Sequence, residues 1–120
     1  MKQITVCIAL VLSFAAMATE ADAVAAREIE QLIAHLASSG CQFNRNGSWY
    51  SASRAVSHLN RKYEYLRDRQ LAPTAEAFIE RAASESSTSG KPYLVKCPGQ
   101  SEVQSGEWFR AALAVIRKEH

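Results

Sequence analysis

The stretch Cys41-Gln42-Phe43-Asn44-Arg45-Asn46-Gly47-Ser48-Trp49-Tyr50 decides the fold. Asn-Gly between two short aromatic-bearing runs is a strong hairpin signal, because a type I′ turn needs positive φ at both central residues. A two-residue turn at Asn46-Gly47 predicts a register: Arg45 opposite Ser48, Asn44 opposite Trp49, Phe43 opposite Tyr50. Phe43, Arg45, Ser48 and Tyr50 then share one face, and Phe43 with Tyr50 forms a cross-strand aromatic pair. Asn46-Gly47-Ser48 also matches a glycosylation sequon, which reads as an accident of the turn.

Helical periodicity flanks this hairpin. Before it, residues 25–39 carry Ile29, Leu32, Ile33 and Leu36 at one-face spacing, with Gly40 just beyond. After it, Ser51 or Ser53 is positioned to cap a helix to about Asp68, striped by Ala52, Ala55, Val56, Leu59, Tyr63 and Leu66. Pro73 follows, and Thr74 opens a third helix to about Ala83, burying Ala75, Phe78, Ile79 and Ala82. Residues 84–92 form a polar loop. Tyr93-Leu94-Val95-Lys96-Cys97 alternates and is β-rich, so it is expected as a third strand. Ser105 is expected to cap a last helix striped by Trp108 or Phe109, Ala112, Leu113 and Ile116. The expected class is α+β: four short helices on one side of a small three-stranded antiparallel sheet.

The N-terminus reads as a leader. One positive charge, Lys2, precedes an unbroken apolar or small run over residues 4–18, 15 residues long. A membrane-spanning helix needs about 20 apolar residues, so this run has signal length instead. Ala16-Met17-Ala18 and Ala21-Asp22-Ala23 are two cleavage patterns, and the second is preferred. The expected organisation is a signal peptide at 1–23 and one exported domain at 24–120, without a lipid or membrane anchor. Cleavage there removes Lys2 from 14 basic residues and Glu20 and Asp22 from 12 acidic ones, leaving 13 against 10 and a net charge of +3. That mild charge, with no basic block, argues against nucleic acid as a partner. Arg61-Lys62 and Arg67/Arg69, interleaved with Glu64 and Asp68, read as a solvated helix face.

Cys7 leaves with the leader, so Cys41 and Cys97 remain. An oxidising compartment favours pairing them; two free thiols or a metal pair are the alternatives. No His or Cys stands at ligand spacing near them. A pairing places the third strand against the hairpin.

Several runs then resemble one group: Ser39-Gly40-Cys41-x-Phe43-x-Arg45-Asn46-Gly47-x-x-Tyr50, Ala55-x-x-His58-Leu59-x-x-Lys62, Thr74-Ala75-Glu76-x-Phe78-Ile79, and Ser86-Ser87-x-Ser89-Gly90-x-Pro92-Tyr93 with Cys97. They are similar to the YfeK-like small periplasmic proteins of Gram-negative bacteria, a domain family of unknown function. The likeness covers about residues 28–117. It implies periplasmic export and paired cysteines, and it supplies no activity, cofactor or catalytic residue.

The residues themselves supply few chemical constellations. His58 shares a helix face with Ser51, seven back, and Lys62, four on. Two turns is roughly 10 Å of rise, too far for Ser51 to meet His58 as a hydrolase nucleophile must. The plainer reading is a half-buried histidine bonded to a backbone carbonyl or to a carboxylate such as Glu76. His35, His58 and His120 are scattered, so no metal site is expected. Ser89-Gly90-Lys91-Pro92-Tyr93 is similar to the Ser-Gly-x-x-Tyr loop of periplasmic C-type lysozyme inhibitors, although that family is an all-β barrel. The expectation is therefore a monomeric, non-enzymatic binding module without cofactor or metal. Its contact residues are Ser87, Ser89, Lys91, Trp49, Arg45 and His58, and its partner is a periplasmic protein or cell-wall component. The alternatives are an inhibitor of a cell-wall hydrolase acting through Ser89 and Tyr93, or a small hydrolase using His58.

Overall fold

In the computed structural model, which describes Gln3 and residues 19–119, Asn46 and Gly47 both take positive φ, 52° and 85°. They join β1 (Gln42–Arg45) to β2 (Ser48–Ser51) in the expected register, Phe43 opposite Tyr50, Asn44 opposite Trp49 and Arg45 opposite Ser48. The Asn44 side chain accepts from Gly47 N at 3.1 Å, fastening the turn from within. The leader reading falls mostly on residues outside the described ones.

Helix α1 (Glu20–Ser38) begins earlier than its apolar stripe implies, because Thr19 and Asp22 form a reciprocal capping box. A cut after Ala23 would thus fall in the first turn of this helix. Ile29, Leu32, Ile33 and Leu36 are buried as expected. Helix α2 (Ala52–Asp68) starts at Ser51, whose hydroxyl accepts from Arg54 N at 3.3 Å. It buries Ala55, Leu59, Tyr63 and Leu66, with Ala52 and Val56 at the margin. Thr74 caps α3 (Ala75–Phe78), which widens into a π-helical turn over Ile79–Ala83. The Ser84 hydroxyl donates to Ile79 O at 2.7 Å across that turn. Helix α4 (Ser105–Lys118) buries Phe109, Ala112, Leu113 and Ile116.

The sheet differs from expectation in one respect. It has four strands, in the order β2-β1-β3-β4, where β3 is Leu94–Lys96 and β4 is Val103–Gln104. Two exposed residues carry no alternation, so β4 leaves no periodic trace; its pairing of Val103 with Val95 and Gln104 with Leu94 is made by the tertiary fold. The start of α4 is also corrected. Gln104 holds the cap position, and Ser105 is the first helical residue, fully buried, donating its backbone N–H to Tyr93 O at 2.8 Å. The strand geometry absorbs the residue whose hydroxyl resembles a cap.

The inner face of the sheet, Phe43 and Val95 at its centre, meets the helices around Leu36, Leu59, Phe78 and Phe109. Phe78 packs edge-on against both Tyr63 and Phe109. Arg117 bonds Glu28 at 2.8 Å and also bonds Glu76, linking α4 to α1 and α3. Glu76 is therefore engaged away from His58, and the expected Glu76–His58 contact is not made. Cys41 and Cys97 form a disulfide joining the approach to β1 with the exit from β3. Among the described residues no helix is long and apolar enough to cross a membrane.

Candidate functional site

Under the inner face of the hairpin lies a pocket of about 190 Å³, lined by Phe43, Arg45, Tyr50, Arg54, Ala55, His58 and Arg61. Its walls follow from two periodicities. Phe43 and Arg45 alternate onto one face of β1, and Tyr50 stands opposite Phe43 on β2. Arg54, His58 and Arg61 stand at i, i+4 and i+7 on one face of α2, with Ala55 between them. Because Ser51 ends β2 and caps α2, the two walls meet at a fixed corner.

Electrostatics set its character. Arg45, Arg54 and Arg61 form no ion pair with a carboxylate among the described residues. The Arg45 and Arg54 guanidiniums lie 5.9 and 5.4 Å from the centre of the Tyr50 ring. Arg45 Nη1 donates to His58 Nδ1 at 2.9 Å. A guanidinium has donors only, so His58 Nδ1 accepts and Nε2 carries the proton. Nε2 donates to the Tyr93 hydroxyl at 3.2 Å, and Lys62 Nζ donates to the same hydroxyl and to Glu85 O, each at 3.2 Å. Burial pushes His58 down from 6.5 to about 4, and the charges of Arg45, Lys62 and Arg61 push the same way. Burial also lowers Lys62, aided by Arg45 and opposed by Glu85, and raises Tyr93, opposed by Arg45. The result is a neutral imidazole that fixes Arg45 within a surplus of positive charge.

This arrangement has a pH signature. His58 stays neutral in the folded chain while the unfolded chain protonates near 6.5, so its contribution to stability is complete above about pH 6.5 and is lost as pH falls toward about 4. Glu28, held below its ordinary 4.5 chiefly by its bond to Arg117, acts in a lower window. A proton NMR titration is expected to place the His58 midpoint near 4, and a midpoint at or above 6 would show that the imidazole is not desolvated as the geometry implies.

Of the residues singled out in the sequence, Arg45 and His58 come together here. Ser89 does not join them: its hydroxyl donates to Asn46 Oδ1 at 2.6 Å. Asn46 Nδ2 in turn donates to Ser86 Oγ at 3.3 Å, so the hairpin tip and the 84–92 loop are locked together. Ser86 is buried, and its hydroxyl accepts from Ser89 N at 3.4 Å. Ser87 and Lys91 are exposed on that loop, and Trp49 is exposed on the outer face of the sheet. Tyr93 is buried beneath His58. Arg54 is not singled out in the sequence, and Arg61 reads there as part of a solvated helix face, although the spacing of both with His58 is visible; what the sequence does not show is that the folded hairpin brings Arg45 opposite them. Among the described residues no three His, Cys, Asp or Glu converge as metal ligands do.

Residues 23–117 match the family described as "Family of unknown function (DUF5329)". Over 51 residues the chain is 49% identical to the "Uncharacterized protein YfeK" of Salmonella typhimurium, covering 42% of this chain and 41% of that one. The match thus spans about two fifths of that relative's length. No solved structure matches.

Proposed function

We propose, from the premise that the chain belongs to the DUF5329 family, whose function is unknown, that it is an exported, non-enzymatic binding domain whose pocket receives an anionic group. The observation that carries this reading is the set of three guanidiniums, Arg45, Arg54 and Arg61, lining one pocket with no carboxylate paired to any of them among the described residues. Like charges brought together without internal compensation repel. An incoming carboxylate or phosphate relieves that repulsion and gains charge-assisted hydrogen bonds. A binding role fits the engaged nitrogens of His58, which leave no free base, and the Ser51 hydroxyl, which is committed to Arg54 N. Export fits the apolar run at 4–18 and the disulfide, which oxidising compartments maintain. The partner is then a periplasmic protein or cell-wall component carrying the anionic group.

Titration of the ¹⁵N-labelled domain with sodium phosphate and with sodium acetate tests this. Saturable shifts are expected at Tyr50, Arg54 and His58, in the millimolar range that corresponds to about −4 kcal/mol. A bound anion offsets the charges of Arg45, Lys62 and Arg61, which add to burial in holding His58 neutral, so the His58 midpoint is expected to rise. Arg61→Ala is expected to weaken binding about tenfold, the equivalent of one charge-assisted bond, with melting unchanged. Shifts spread evenly over all basic residues, or unaltered by Arg61→Ala, would remove the site.

A further inference from the structure

We propose that the anionic group is the terminal carboxylate of a short extended peptide, laid along the open edge of β2 with its last residue in the Arg45/Arg54/Arg61 pocket. This rests on the anion-binding reading above and narrows it. Four observations converge. A pocket of about 190 Å³ is smaller than the roughly 300 Å³ at which pockets begin to enclose a drug-sized ligand. It therefore suits one chain end rather than a nucleotide or a sugar chain. Its lining mixes charge with an aromatic ring: the Arg45 and Arg54 guanidiniums lie 5.9 and 5.4 Å from the centre of the Tyr50 ring, and Phe43 and Ala55, both buried, complete the lining with Arg61. A carboxylate on a small apolar residue uses both the guanidiniums and the Tyr50 ring, whereas a free phosphate uses only the guanidiniums. Arg45 is already held by His58 through Nη1, which fixes the plane of its guanidinium for a two-point contact with a planar carboxylate.

The fourth observation is the edge. In the order β2-β1-β3-β4, β2 has no strand on its outer side among the described residues. Its Tyr50 faces the pocket, while Trp49 is exposed on the opposite face. An extended peptide that adds to such an edge alternates its side chains between the two faces. Its last side chain then lies on the Tyr50 side and the one before it on the Trp49 side. Main-chain pairing supplies affinity, and the carboxylate sets the register.

The experiment titrates the same labelled domain with acetyl-Ala-Ala, with acetyl-Ala-Ala-amide, with acetate and with inorganic phosphate. Acetyl-Ala-Ala is expected to bind about tenfold more tightly than acetate, the worth of about one main-chain hydrogen bond, and about tenfold more tightly than its amide, the worth of one charge-assisted contact. It is expected to shift the Trp49 backbone amide as well as Tyr50 and Arg54; acetate should shift only the pocket. Arg54→Gln should remove the preference for acid over amide, and Arg61→Gln provides the same reading if the first variant melts early. Equal binding of acid and amide, or of peptide and acetate, overturns the peptide assignment. Phosphate binding in the pocket without peptide binding leaves the anion site standing and this assignment refuted. No binding by any of the four refutes both.

Discussion

Replacing Cys41 and Cys97 together by alanine is expected to lower the melting temperature by roughly 10 °C or more. The disulfide joins residues 56 apart in sequence. In the chain-entropy account a cross-link closing a loop of that length restricts the unfolded chain by about 4 kcal/mol, and native disulfides removed from small exported domains cost about 2–5 kcal/mol. A chain with only about 100 residues in its domain has about 5–10 kcal/mol in total, so the loss is a large share. Each kcal/mol moves the midpoint by roughly 4–8 °C at this size. The double variant avoids leaving one free thiol, and alanine avoids placing a hydroxyl at Cys41, which is buried. Calorimetry of the oxidised parent, the reduced parent and the variant checks it. A variant melting within a degree or two of the oxidised parent would show that β1 and β3 are held by pairing and packing alone.

Arg54→Glu is expected to act in opposite directions on binding and stability. Arg54 lies in the first turn of α2, a turn without an acidic residue. The positive end of the helix dipole disfavours a cation there and favours an anion, each by about 0.3–1 kcal/mol. Reversal should therefore raise stability by about 1 kcal/mol, or roughly 4–8 °C. The same change removes one of three guanidiniums from the pocket and adds a carboxylate facing Arg45 and Arg61. Anion affinity should fall about a hundredfold, the equivalent of roughly 2.7 kcal/mol across two charge-assisted contacts. Residues that lower stability where they stand are commonly retained for function, and this pair of signs is what such a residue predicts. A variant that melts lower and still binds phosphate as the parent does would make Arg54 part of the scaffold.

The hairpin register was legible because Asn46-Gly47 permits one turn geometry, and a fixed turn numbers every pair after it. The helices were legible wherever apolar stripes ran for about two turns or more, as in Ile29 to Leu36. Strand β4 was not, since Val103 and Gln104 are too few for alternation and take strand form only from β3. Ser105 misled for a related reason: a hydroxyl before an apolar run has the look of a cap, but its position was decided by the bond from its N–H to Tyr93 O. Half of the candidate site could be read as well. Arg54, His58 and Arg61 share a helix face by spacing alone, yet charged residues on a helix face usually meet water. What distinguishes these is Arg45 arriving from a strand 13 residues before His58, a tertiary event. Glu76 shows the converse: a carboxylate plausible for His58 in the sequence belongs to Arg117 in space.

The central pairing of the sheet, β1 with β3, also governs the order of events in folding. The hairpin closes over two residues, whereas β3 must return to β1 across α2, α3 and the polar loop. Contacts so distant along the chain form slowly, because the chain between them loses freedom before the contact compensates for it. A chain whose cysteines are already joined has made that return in advance. The oxidised protein should therefore refold quickly from denaturant and the reduced one slowly, a separation in rate that sits beside the separation in melting temperature and comes from the same sulfur atoms.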